Sequence, residues 1–170
     1  NELRLLMGRL AITEAQQKRA FFEAQMTKAK DELVNAELAV KQSQERGGLV
    51  SVDAQTQSTI GAAAQLRAQV VSKEVQIQAA RPYAGPENPD LRRMLSELAS
   101  LKNQLEKLEG GSGGNRTVDS SASTDSLSNV RIYRELKYQE AIFGAMVQQF
   151  QLARVEESKD APLIQQVDVA

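Results

Sequence analysis

The chain has 170 residues, with 21 basic and 22 acidic side chains and a formal net charge of −1, so no long-range field steers it onto nucleic acid or anionic lipid. Cysteine, histidine and tryptophan are absent. That removes disulfides, thiolate nucleophiles, imidazole bases and every usual zinc or haem ligand set except carboxylates, and with them most enzyme classes. Aromatics make up only 4% of the residues, while Ala, Gln, Glu, Leu, Lys and Arg dominate, which is the composition of long amphipathic helices and not of a thick globular core. The mean hydropathy is −0.42 and no stretch approaches 18 consecutive apolar residues, so no segment reads as a membrane span.

Asn1 is followed at once by the apolar-periodic run Leu3, Leu5, Leu6, Met7 and Leu10. The start is expected to be a cut from a longer chain. From Leu5 the positions Gly8, Ile12, Ala15, Arg19, Phe22, Met26, Ala29, Leu33, Ala36 and Val40 follow in steps of three and four, all apolar except Gly8 and Arg19. This heptad seam predicts one helix over residues 1 to 46, about 70 Å long at 1.5 Å per residue. It ends at Gly47-Gly48, where glycine accepts the left-handed closing conformation.

Ser51 or Asp53 is placed to cap a second helix over residues 53 to 80, with a seam through Ala63, Leu66, Val70, Ile77 and Ala80 that Lys73 interrupts. Pro82 and Pro86 then forbid helix by pushing the residues before them into extended geometry. Asn88-Pro89-Asp90 has a side-chain acceptor at the cap, a proline where the missing N–H costs nothing, and a carboxylate in the positive first turn. The helix it opens, residues 88 to 109, carries Leu91, Met94, Leu98, Leu101, Leu105 and Leu108, an unbroken seam that needs a helical partner.

Gly110-Gly-Ser-Gly-Gly114 and the polar tract after it hold too little apolar surface to offset the entropy of ordering, so residues 110 to 127 read as a flexible Gly/Ser linker. A return helix over residues 128 to 160 carries Ile132, Leu136, Phe143, Val147 and Phe150 on one face, and Pro162 follows its end. Residues 163 to 169 have the β-branched content of a strand that would belong to an α/β base outside the chain. If the helices alternate up and down, their rises nearly cancel and both ends of the chain reach one base. The fold expected is all-α: elongated antiparallel coiled-coil helices with a short orphan C-terminal β-strand.

Candidate chemistry is sparse. The glycine run lacks the Gly-Lys-Ser/Thr ending of a phosphate loop. The pairs Asp31-Glu32 and Glu156-Glu157 are adjacent in helices, so their carboxylates diverge by about 100° and read as solvated faces. Arg92, Arg93, Lys102 and Lys107 sit among Glu97, Glu106 and Glu109 as ordinary helix-surface pairs. Ser72-Lys73 and Ser158-Lys159 point their groups apart. Tyr83, in the proline-flanked turn, is able either to stack on a sugar ring or to pack under its own loop. Asn115-Arg116-Thr117 matches a glycosylation sequon that has meaning only in a eukaryotic secreted protein. No catalytic, cofactor-binding or metal-binding residue is assigned.

Three segments in order carry a resemblance. They are the long helix reaching Gln44-Glu45-Arg46-Gly47-Gly48-Leu49-Val50-Ser51; the turn Tyr83-Ala84-Gly85-Pro86-Glu87-Asn88-Pro89-Asp90-Leu91 opening a leucine-rich helix; and the stretch from Tyr138 through Phe143, Ala153-Arg154-Val155-Glu156-Glu157-Ser158 and Ala161-Pro162-Leu163-Ile164 to Ala170. Together they resemble the Wzz-type polysaccharide co-polymerases, the chain-length determinant family of bacterial polysaccharide export, which includes the periplasmic parts of capsule exporters and of tyrosine autokinases. The most specific piece is the turn with Pro86, Asn88, Pro89 and Asp90. The resemblance implies a non-enzymatic periplasmic module of a bacterial inner-membrane protein, without cofactor, anchored through segments outside this chain. It also implies a homo-oligomer in the full-length protein, and as partner a polysaccharide polymerase or an outer-membrane exporter, with no role for nucleic acid. Leu163 to Val169 would then be the strand returning to the base. The rival expectation is a helical-hairpin periplasmic adaptor of a secretion or efflux system.

Overall fold

A computed structural model describes residues 2–46, 52–85, 87–113 and 124–160, and every element among them is an α-helix: α1 (Glu2–Glu45), α2 (Ala54–Ala80), α3 (Pro89–Gly113) and α4 (Thr124–Asp160). The fold of the described residues is therefore all-α. At 1.5 Å per residue the 44 residues of α1 rise about 66 Å and the 37 of α4 about 56 Å, far longer than the thickness of a compact domain of this mass.

Cross-helix pairs fix the directions. Ser43 on α1 donates to Asn129 Oδ1 on α4 at 2.5 Å, and Arg19 near the other end of α1 meets Glu157 of α4 at 2.7 Å, so α1 and α4 are antiparallel. Arg67 of α2 stands by Glu109 of α3 and Lys73 by Glu97, so α2 and α3 are antiparallel too. α2 and α4 run the same way, with Ala63 and Ala64 beside Tyr138, and Val75 beside Met146 and Ala153. The backbones approach most extensively between α1 and α4, then between α4 and α2 and between α2 and α3, and only slightly between α1 and α2. The helices thus form a staggered row, α1–α4–α2–α3, and not a square bundle.

Local sequence explains the ends. Asp53, in extended geometry, accepts from the Thr56 N–H and caps α2, satisfying one of its free donors. Asn88 Oδ1 accepts from the N–H of Asp90 at 2.8 Å and of Leu91 at 3.3 Å, with Pro89 as the first helical residue of α3. Between them the Tyr83 and Ala84 N–H groups both donate to the Ala80 carbonyl, which turns the chain at the end of α2. Pro86, Gly47-Gly48 and the strand expected over residues 163 to 169 lie outside the described residues, as do the side chains of Leu5, Gly8 and Ile12.

Two expectations are corrected. The linker expected over 110 to 127 is helical at both edges, since α3 continues to Gly113 and α4 begins at Thr124; residues 114–123 are outside the description. Extending an existing helix adds one hydrogen bond for each residue fixed, which offsets the glycine penalty of about 1 kcal/mol over a few residues, and Ser, Thr and Asp favour the start of a helix. The single apolar face expected for α4 is also too narrow. Its deepest residues are Tyr138, Met146 and Ala153, each at most 3% exposed, while Ile132, Leu136, Phe143, Val147 and Phe150 are half-buried. A helix in the middle of a row buries two flanks, so its most covered line runs between them.

The core follows the same logic. On α1 the buried residues Ala15, Phe22, Ala29 and Ala36 recur every seven positions, with Met26, Leu33 and Val40 half-covered beside them. Phe22 and Ala29 pack with Val75, Met146 and Ala153 in the main cluster. α2, the other inner helix, buries Ile60, Ala63, Ala64, Ala68, Val70, Val75 and Ile77, and its small residues let helices approach from both sides.

Candidate functional site

The residues singled out in the sequence fall into a turn, a set of seams and one groove. In the turn, Asn88, Pro89 and Asp90 build the start of α3 as described, with Arg93 paired to Asp90 at 2.9 Å and Arg92 to Glu87. Tyr83 is 46% exposed; its hydroxyl donates to Gln17 Oε1 at 2.7 Å and Lys18 Nζ stands 5.8 Å from its ring centre, so it neither hides under its own loop nor floats free. It ties the turn to α1.

Both polar interruptions of the apolar seams are paired across helices. Arg19 reaches Glu157 on α4 at 2.7 Å and Glu23 on its own helix at 2.6 Å, which takes Glu157 out of the solvated face expected for it. Lys73 meets Glu97 at 2.9 Å, and the hydrogen bond it donates, then its charge, holds the Glu97 carboxyl below the usual carboxylate range. With its ammonium engaged there, Lys73 is not poised as a base for Ser72. Ser158 donates to the Val155 carbonyl of its own helix at 2.8 Å.

The α3 seam is only partly covered. Leu91 is buried, whereas Met94, Leu98, Leu101, Leu105 and Leu108 are half-buried, because α3 lies against α2 alone for most of its length. Towards its C-terminal end Leu105 and Leu108 pack against the cluster formed by Ala63 and Ala64 of α2 and Tyr138 of α4. There the Tyr138 hydroxyl donates to Glu109 Oε1 at 3.0 Å, Arg67 stands 3.9 Å from the same carboxylate, and the Arg67 guanidinium lies 4.9 Å from the Tyr138 ring centre. Burial first, then the hydrogen bond to Glu109, raises the Tyr138 pKa above that of a free tyrosine.

Away from that end α3 and α4 stand apart, and α2 becomes the floor of a groove between them. Its middle section, about 810 Å³, is lined by Gln65, Gln69 and Gln76 of α2, Ser100 and Leu101 of α3, and Gly144, Gln148 and Gln149 of α4. A second section of about 540 Å³ continues past Gln76 and Gln149 to Tyr83, Leu91, Met94 and Leu152. No side chain among Gln65, Gln69, Gln76, Gln148 and Gln149 bonds another described residue. Sequence reasoning followed the apolar stripes and passed over these amides, although Gln65, Gln69 and Gln76 lie at i, i+4 and i+11 on one helix face. Among the described residues no three acidic side chains cluster to hold a metal ion, and no helix is long and apolar enough to cross a membrane. Val34 and Leu38 of α1 and Val155 of α4, with Leu152 at the groove's far section, are large apolar side chains more than 40% exposed.

What the fold and groove define is a thin helical scaffold with an amide-lined furrow along one flank. Compared with protein-family models, curated proteins and solved structures, the chain matches none.

Proposed function

We propose that the chain is the periplasmic module of an inner-membrane polysaccharide co-polymerase, a non-enzymatic scaffold that governs the chain length or export of a surface polysaccharide. The observation that carries this reading is the row of long helices, with α1 alone rising about 66 Å, turned at Tyr83 to Asp90 by the residues on which the resemblance rests. In this reading the row is an elongated antiparallel coiled-coil stalk. Slender helices placed side by side make a tall wall with little internal core, and such a wall acts through what it touches. The exposed apolar residues on α1 and α4 give a second copy, a polysaccharide polymerase or an outer-membrane exporter surface to rest on.

The test is genetic. Deleting the gene and separating the cell's surface polymer by size is expected to broaden or shift the length distribution or to abolish export. An unchanged distribution together with unchanged export overturns the proposal. The full gene is also expected to place an apolar segment of about 20 residues on each side of this chain.

A further inference from the structure

The groove between α3 and α4 has a chemistry of its own. Its amides each offer donors and an acceptor, and Ser72 and Ser100 add hydroxyls along the same walls. Charges in the middle section are cancelled locally, Lys73 by Glu97 and Glu140 by Lys137 at 2.7 Å, so no free cation waits there for a phosphate or carboxylate. Ala68, Ala141, Gly144 and Ala145 give small apolar surface and no deep pocket for a large apolar side chain. From Gln65 to Ala80 the furrow follows α2 for about 22 Å, and the half-exposed Tyr83 stands in the turn just beyond.

We propose that this groove binds a linear, uncharged, hydroxyl-rich glycan, with the five glutamines and two serines bonding its hydroxyls and Tyr83 stacking on a ring at the turn end. The inference rests on the polysaccharide reading above and names a site for it. A sugar presents hydroxyls at its edges and C–H groups on its faces, which matches the amide walls and small apolar floor of the middle section; the far section adds the Tyr83 ring beside the paired Glu14 and Lys18 and the apolar Leu91 and Met94. An extended peptide would find no sheet edge to pair with in this helical row, and an anionic polymer would meet no unpaired base in the middle section.

The test uses the purified 170-residue chain and nuclear magnetic resonance of its glutamine side-chain amides. The probes are neutral linear hexose hexamers of two linkages, a polysialic acid hexamer as the anionic control and a glutamine-rich peptide as the polypeptide control. Shifts at Gln69, Gln76 and Gln149 are expected with at least one neutral hexamer and with neither control. Gly144→Leu obstructs the groove at a position where a Cβ meets nothing within 4 Å, so the fold is kept while binding falls at least tenfold; Gln76→Ala is expected to weaken it as well. No shift with either neutral hexamer overturns the proposal, as do equal shifts with either control or binding untouched by Gly144→Leu. If Gly144→Leu instead changes the sedimentation of the chain while no sugar binds, the groove seats a second copy and the proposal fails. Polymer length that depends on the gene but ignores Gly144→Leu removes the groove and keeps the scaffold function; sugar binding in a chain whose deletion leaves the polymer unchanged does the reverse.

Discussion

The two outer helices of the row, α1 and α3, are held in opposite ways. α1 presents alanines and one phenylalanine at its buried heptad positions and sinks them, with Ala15, Phe22, Ala29 and Ala36 all under 9% exposed against α4. α3 presents the more continuous apolar stripe, five leucines and a methionine, yet only Leu91 is buried. The difference lies in the partner. α4 follows α1 over most of its length and small residues let the two backbones come close. α3 lies against α2 alone until its last turns, and it is fastened at its margin by Lys73–Glu97, Glu74–Lys102 and the Glu109 contacts with Arg67 and Tyr138. How apolar a stripe is says that it needs cover; how much cover it gets depends on how many neighbours the row supplies.

The contrast is broken most strongly by substituting one leucine-sized residue on each side. Met146, 2% exposed where α1, α2 and α4 meet, is expected to cost about 2–5 kcal/mol on Met146→Ala, because a closed cavity remains. Leu98→Ala on the half-covered α3 seam leaves no closed cavity and is expected to cost about 1–2 kcal/mol. Denaturant unfolding of both variants checks the order; equal costs would mean that α3 is packed as deeply as the inner helices.

A smaller effect comes from pH and acts where α3 meets α2 and α4. Glu97 has its pKa lowered by Lys73, so its contribution is present above the ordinary value of 4.5 and is lost as pH falls from there through the folded value. Tyr138 has its pKa raised, so the reverse holds: its contribution is present below the ordinary value of 10.0 and is lost as pH rises through the folded value. Hydrogen exchange of α3 amides is therefore expected to quicken towards both extremes, after allowance for intrinsic exchange, more than exchange of α1 residues 15–40. Replacing Glu97 by Gln should remove the acid limb of that response and spare the alkaline one.

Much of this arrangement was legible in the residues. The seven-residue spacing of Ala15 to Ala36, the Asn88-Pro89-Asp90 cap and the all-α class need only local pattern and capping chemistry. Which helix becomes an inner one is not a local property. The stripe from Ile132 to Phe150 was read as the buried face of α4, but a helix between two neighbours centres its burial on Tyr138, Met146 and Ala153, a second stripe roughly a quarter-turn round the helix. Arg19 and Lys73 looked like flaws in their seams because their carboxylates sit on other helices, at Glu157 and Glu97. The groove was invisible for a related reason. It exists because α3 and α4 both lean on α2 without meeting over their middle lengths, and polar residues leave no periodic apolar mark to follow.

Small-angle X-ray scattering of the monomeric 170-residue chain tests the slender row most directly. Helices of 44 and 37 residues laid side by side give a radius of gyration of about 20 Å or more, whereas a compact chain of this length gives about 15–16 Å. A rod-like scattering profile with the larger radius is the expected result; a globular profile near 15–16 Å would contradict it.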